Sequence, residues 1–305
     1  MCKVFANILH DETFKVVLAE PSNKRLLINL IEFFLPGKKI KTLDYNDKEQ
    51  HGLILSDKTS IFDLYCTTDI GEKLIIEMQF SSQKSFKDRM LYYSTYPILS
   101  QIMERMKRLS IEDEKGLRKM DYSLSPVYVI SILNFKMPHD NPETLEGGMI
   151  SRYELRSART GEKMTNALNF VFMELGRLKW KQGEEDKCET LLEQLAYSLK
   201  YGHTLEDRPK EFENELLTNL FDATAFANMD EEQLENYNAI MTTELDIIAQ
   251  KNFAREEGHA EGFVEGRAEA NNETALKMIK EGFTNEMICK LTGLTKEAVE
   301  ELRKH

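Results

Sequence analysis

Asp63 and the Glu77-Met78-Gln79 triplet sit on two short apolar runs joined by a tight turn, and their spacing points to chemistry. Residues 60–66 and 73–80 are rich in β-branched and aromatic side chains, the composition of strands. Residues 67–72 between them have turn composition. Side chains alternate along a strand, so Glu77 and Gln79 share one face while Leu74, Ile76, Met78 and Phe80 take the other. A hairpin symmetric about Ile70 sets Asp63 directly opposite Glu77. Cross-strand partners have Cβ atoms roughly 5 Å apart, where like charges repel. A cation between them removes that repulsion, and hard divalent ions such as Mg²⁺ take oxygen ligands. The plain alternative is a hairpin with one solvated polar face. Against it stand Ile61 and Tyr65 beside Asp63, and Ile75 beside Glu77: acids in apolar company are costly unless paired or metal-bound.

The elements that must position these acids follow from local pattern. Residues 10–35 read as helices stopped by Pro36-Gly37, and Phe86 opens a helix to about Arg108 with Arg89, Tyr92, Tyr93 and Tyr96 along one side. Residues 125–135 are almost wholly apolar, which suits a strand covered on both faces. Further strands are expected at 149–156 and 167–175, then a helix at about 186–200. Helix, strands, helix and buried strand make an α/β layered pattern over residues 1–203.

After Pro209 the texture is helical only. Asp230 and Gln233 have capping-box spacing and open a helix expected to reach about Asn271. Within residues 204–271, Ala254, Gly258, Gly262, Gly266 and Ala270 recur every four residues. Each mid-helix Gly costs about 1 kcal/mol relative to Ala, a cost that close packing of a second helix offsets. A homo-oligomer through this stripe is the expectation, and a loose Glu/Gly-rich spacer is the alternative. Residues 272–305 read as three short helices resembling a helix-turn-helix. The last of them carries Glu297, Glu300 and Glu301, which a DNA groove would repel, so a packing or capping module is the better reading.

The net charge of −12 belongs to the C-terminal third: residues 1–200 hold 29 basic and 29 acidic side chains, and residues 201–250 hold 2 and 12. A neutral domain with clusters at Lys38-Lys39-Lys41, Arg105-Lys107-Arg108 and Arg152/Arg156/Arg159 is compatible with phosphate contact. No apolar run approaches the ~20 residues that span a bilayer, and the N-terminus lacks a signal pattern. Four scattered cysteines form no CxxC. A soluble, cytoplasmic protein is expected. Gly-rich phosphate loops and nucleophile elbows are absent from the sequence.

Taken in order, Asp11-x-x-Phe14-Lys15, Asp63, Glu77-x-Gln79, Phe86-x-x-Arg89-x-x-Tyr92-Tyr93, the strand Pro126–Phe135 and the helical tail with repeated Glu-Gly steps resemble the PD-(D/E)XK nuclease family transposases, also called recombination-promoting nucleases. The resemblance implies a restriction-endonuclease-like core, a mixed sheet flanked by helices, followed by an all-helical C-terminal region. It implies phosphodiester hydrolysis on DNA with Mg²⁺, for which Mn²⁺ is a possible substitute, in recombination, mobile elements or defence. Asp63 and Glu77 match the metal-binding acids, and Gln79 completes the catalytic motif where the wider superfamily often has Lys. Gln can orient a water by hydrogen bonding but brings no charge. Lys15, Arg89 and Tyr93 are the phosphate or DNA contacts implied, and Asp11 is a residue supporting the metal site. The alternative is a catalytically weak DNA-binding or self-assembling protein that keeps the fold.

Overall fold

The computed structural model describes residues 4–46, 62–112 and 122–303. The chain forms two compact units that divide after Tyr237. The first opens with α1 (Asp11–Ala19) and α2 (Lys24–Phe34). Leu27, Ile31 and Phe34 of α2 recur at helical spacing and are fully buried, and the helix ends before Pro36 and a left-handed Gly37 (φ 85°). Next come β1 (Leu43–Tyr45), β2 (Leu64–Thr68), β3 (Lys73–Gln79) and the long α3 (Phe86–Glu112). After α3 the chain adds β4 (Val127–Leu133), β5 (Ile150–Glu154), β6 (Leu168–Glu174), α4 (Leu191–Tyr201) and α5 (Glu215–Thr224).

The six strands make one mixed sheet in the order β1-β2-β3-β4-β6-β5. β3, β4 and β6 run parallel, and the flanking strands pair antiparallel. The alternation read from the sequence sorts the two faces. Leu74, Ile76 and Met78 join Phe14, Leu27, Phe34, Leu195 and Leu217 in a core built with α1, α2, α4 and α5. Ile75, Val129, Leu133 and Phe172 join Phe86 and Met90 of α3 on the other face. β4 is therefore covered on both sides, which is why its sequence is apolar without a break. The mixed sheet flanked by helices is the architecture expected.

Two features differ in extent from the expectations. Packing does not change at residue 203: α5 lies against α2, with Arg25 Nε 3.0 Å from Glu215 Oε1, so the first unit continues to Tyr237. The helix opened by Asp230 and Gln233, which exchange bonds of 3.0 and 2.8 Å as a capping box, is α6 (Glu231–Lys280). It runs past Asn271 because nothing between there and Gly282 (φ 82°) breaks a helix. The first of the three expected tail helices is thus the end of α6. The others are α7 (Asn285–Thr292) and α8 (Lys296–Leu302), which meet at Gly293 (φ 73°) and bury Ala275, Ile288 and Val299 together. No helix among the described residues is long and apolar enough to cross a membrane.

Candidate active site

The turn between β2 and β3 fixes the register that the site depends on. Thr68 N donates to Glu72 O at 3.0 Å, Gly71 N to Thr68 O at 2.9 Å, and Gly71 supplies the left-handed residue (φ 83°). Leu64 then faces Ile76, Tyr65 faces Ile75 and Cys66 faces Leu74, the hairpin symmetric about Ile70. One step further along the same register, Asp63 lies across from Glu77. Asp63 itself sits in a bend just before β2, and alternation fails there: Phe62 packs with Tyr65, Tyr93 and Tyr96 on the α3 face. Ile61 lies outside the described residues.

Backbone amides of both strands tie the two carboxylates down. Asp63 N donates to Glu77 Oε1 at 3.1 Å, and Met78 N donates to Asp63 Oδ2 at 2.8 Å. Asp63 is 7 % exposed, Glu77 6 % and Gln79 8 %, so the three are buried and not a solvated strand face. Burial, and then the charge of Asp63, hold the Glu77 carboxyl well above the usual carboxylate range. The same two causes, burial and then the nearby Glu77 charge, raise the Tyr93 phenol.

Two cations flank the pair. Lys15, on the second turn of α1, places Nζ 3.3 Å from Asp63 Oδ1. Arg89, on the first turn of α3, donates through Nη2 to Gln79 Oε1 and through Nη1 to Gln83 Oε1. Its guanidinium lies 5.7 Å from the Tyr93 ring centre and 5.9 Å from that of Phe86. A guanidinium only donates, so the Gln79 amide oxygen must face it, leaving the nitrogen to Ser81 O at 3.1 Å. Lys15, Asp63, Glu77, Gln79, Arg89 and Tyr93 are therefore brought to one place. The side chain of Asp11 lies outside the described residues; its backbone begins α1.

Sequence reasoning missed two neighbours. His10, just ahead of α1, is buried and stacks on Phe80 at 5.6 Å, one residue beyond Gln79. Gln83 holds the far side of Arg89. Neither has a spacing signal, since each reaches the site across a loop. The basic clusters fare differently. Lys38 and Lys39 pair with Glu72 and Glu32, and Arg152 and Arg156 pair with Glu146 and Glu154. The Arg108 side chain lies outside the described residues.

Among the described residues no third His, Cys, Asp or Glu joins Asp63 and Glu77 in a metal-ligating group. Two carboxylates suit Mg²⁺, which binds through one or two and keeps water and substrate phosphate for its other positions. A family model described as PD-(D/E)XK nuclease family transposase matches residues 8–254, a span that contains every site residue above. No curated protein and no solved structure matches the chain. With four-fifths of its length covered by that model, and with a mixed sheet consistent with the restriction-endonuclease-like fold, the chain belongs to the PD-(D/E)XK nuclease family transposases.

Proposed function

We propose that this protein is a metal-dependent DNA endonuclease acting in recombination, mobile-element movement or defence. The observation that carries the reading is the buried pair Asp63 and Glu77, cross-bonded through backbone amides and flanked by Lys15 and Arg89. Two desolvated carboxylates side by side are unfavourable without a cation, and a divalent ion held by both offsets the repulsion. Mg²⁺ or Mn²⁺ would supply Lewis acidity toward a phosphoryl oxygen and a lowered pKa for water.

The chain's own residues do the rest. Gln79 presents a fixed amide beside Glu77, able to orient a water but not to charge it. The positive charge that Gln79 lacks comes from Arg89, one helical turn into α3 and bonded to that amide. Arg89 has the planar fork that suits a phosphate, and moving onto one means leaving Gln83 or Gln79. Lys15 neutralises Asp63, and Tyr93 walls the site next to Phe62.

Nicking of supercoiled plasmid in Mg²⁺ or Mn²⁺ tests this. Wild type should nick, and Asp63→Ala and Glu77→Ala should each lose at least a hundred-fold. Equal cleavage by both variants and wild type sinks the enzyme.

Self-association through α6 is a second element of the proposal. Among the described residues a Cβ built on Gly258, Gly262 or Gly266 meets nothing within 4 Å, so no packing there offsets the glycines. A second copy is the partner we assign to Gly258, Gly262, Gly266 and Ala270; the side chain of Ala254 lies outside the described residues.

A further inference from the structure

Glu174 closes β6 with 0 % exposure, a costly place for a carboxylate unless donors surround it. Donors do surround it. Met137 N and Arg177 Nε reach Oε2 at 2.6 and 2.7 Å, and His139 Nε2 reaches Oε1 at 2.5 Å. Arg177 Nη2 donates back to Met137 O at 2.6 Å. The turn after β4 is thus gripped at residue 137 through both its N–H and its carbonyl.

Gly176 presses on the same turn from below. A Cβ there would come within 2.6 Å of Phe135 C and 2.9 Å of Lys136 N, so only glycine fits. The Phe135 ring meets Phe86 edge-on at 6.0 Å, and Met137 is buried. Between these two anchors Lys136 is exposed, with no carboxylate partner among the described residues. A network of buried charge therefore fixes the backbone of one outward-pointing cation.

That cation follows the carboxyl ends of the parallel strands, the end of the sheet that carries Glu77 and Gln79. The parallel register places Gln79, Leu133 and Glu174 in one row, and Asn134 N donates to Gln79 O at 3.0 Å. Lys136 is two residues beyond that bond. A strand of DNA carries one charge per ~3.4 Å of helix axis, so a phosphate at this site has charged neighbours on both sides for a nearby cation to meet.

We propose that Lys136 contacts the DNA backbone beside the phosphate that the Asp63–Glu77 site acts on, with Glu174 and Gly176 as its positioning residues. The proposal rests on the nuclease reading. It is tested by fluorescence anisotropy of duplex DNA in EDTA across a salt series, where binding is read without cleavage. Lys136→Ala should weaken binding to every sequence alike and make the salt slope shallower by about 1, and Lys136→Arg should restore it. Gly176→Ala should weaken binding similarly and add nothing to Lys136→Ala, since both remove one contact. An unchanged slope for Lys136→Ala overturns the proposal, as does failure of the wild type to bind DNA. Should Gly176→Ala not fold, the two Lys136 variants still decide. Loss of the nuclease reading appears separately, as Asp63→Ala nicking like wild type.

Discussion

Lys15 Nζ lies 3.3 Å from Asp63 Oδ1, bringing a cation from α1 onto the first of the two hairpin acids. The Lys15 side chain is 19 % exposed and that of Asp63 9 %, so the pair is poorly screened by water. Removing Lys15 leaves Asp63 and Glu77 facing each other with less compensation. Lys15→Ala should destabilise the metal-free protein by about 1–3 kcal/mol, below the cost of breaking a fully buried pair. Saturating Mg²⁺ should shrink the difference, because the ion replaces the lost charge. Denaturant melts in EDTA and in Mg²⁺ measure both; a loss that Mg²⁺ leaves unchanged argues against an ion between the acids.

Glu77 gives a pH signature with a definite sign. Burial and the Asp63 charge raise its carboxyl in the folded state, so the native protein binds a proton that the unfolded chain releases. Stability of the metal-free protein should therefore fall as pH rises above the ordinary Glu range, up to the raised native value, by at most ~1.4 kcal/mol per pH unit. Glu77→Gln should flatten that fall in melts between pH 5 and 8. An identical slope in the variant would remove Glu77 as its source.

Much of this arrangement was legible in the chain because it is local. The hairpin register followed from a turn centred on Ile70, and a register once fixed places every side chain along both strands. The doubly covered β4 was readable from its unbroken apolar run. What escaped depends on packing between elements. The Arg89–Gln79 bond spans the loop from β3 to α3, His10 reaches Phe80 from just ahead of α1, and Glu174 gathers partners up to 37 residues away. No periodicity encodes such meetings. The three-residue edge strand β1 was missed because it is too short to show alternation.

Gln79 and Arg89 act together if the positive charge of the site has moved from the strand to α3. Gln79→Lys should then slow nicking, because a new ammonium beside Arg89 is repelled and the amide bond is lost. Combining Gln79→Lys with Arg89→Gln moves the single cation back to the strand and should recover at least part of the rate. Initial rates of plasmid nicking in Mg²⁺ measure each variant. A Gln79→Lys variant faster than wild type would show that Arg89 does not supply the missing charge.

The glycines of α6 separate a packed helix from a solitary one by the direction of their effect. In a solitary helix, Gly→Ala at 258, 262 and 266 should stabilise by about 1 kcal/mol each, since Ala is the better helix former and nothing among the described residues is near enough to clash. In a self-associating helix, the same positions set the closest approach of two backbones, and added side chains push them apart. Gly262→Leu should then lower the mass measured by light scattering toward that of one chain, while the helical signal stays or rises. An unchanged mass, together with a gain in helix stability for the alanine variants, would assign the glycines to an unpaired helix and end the self-association proposal.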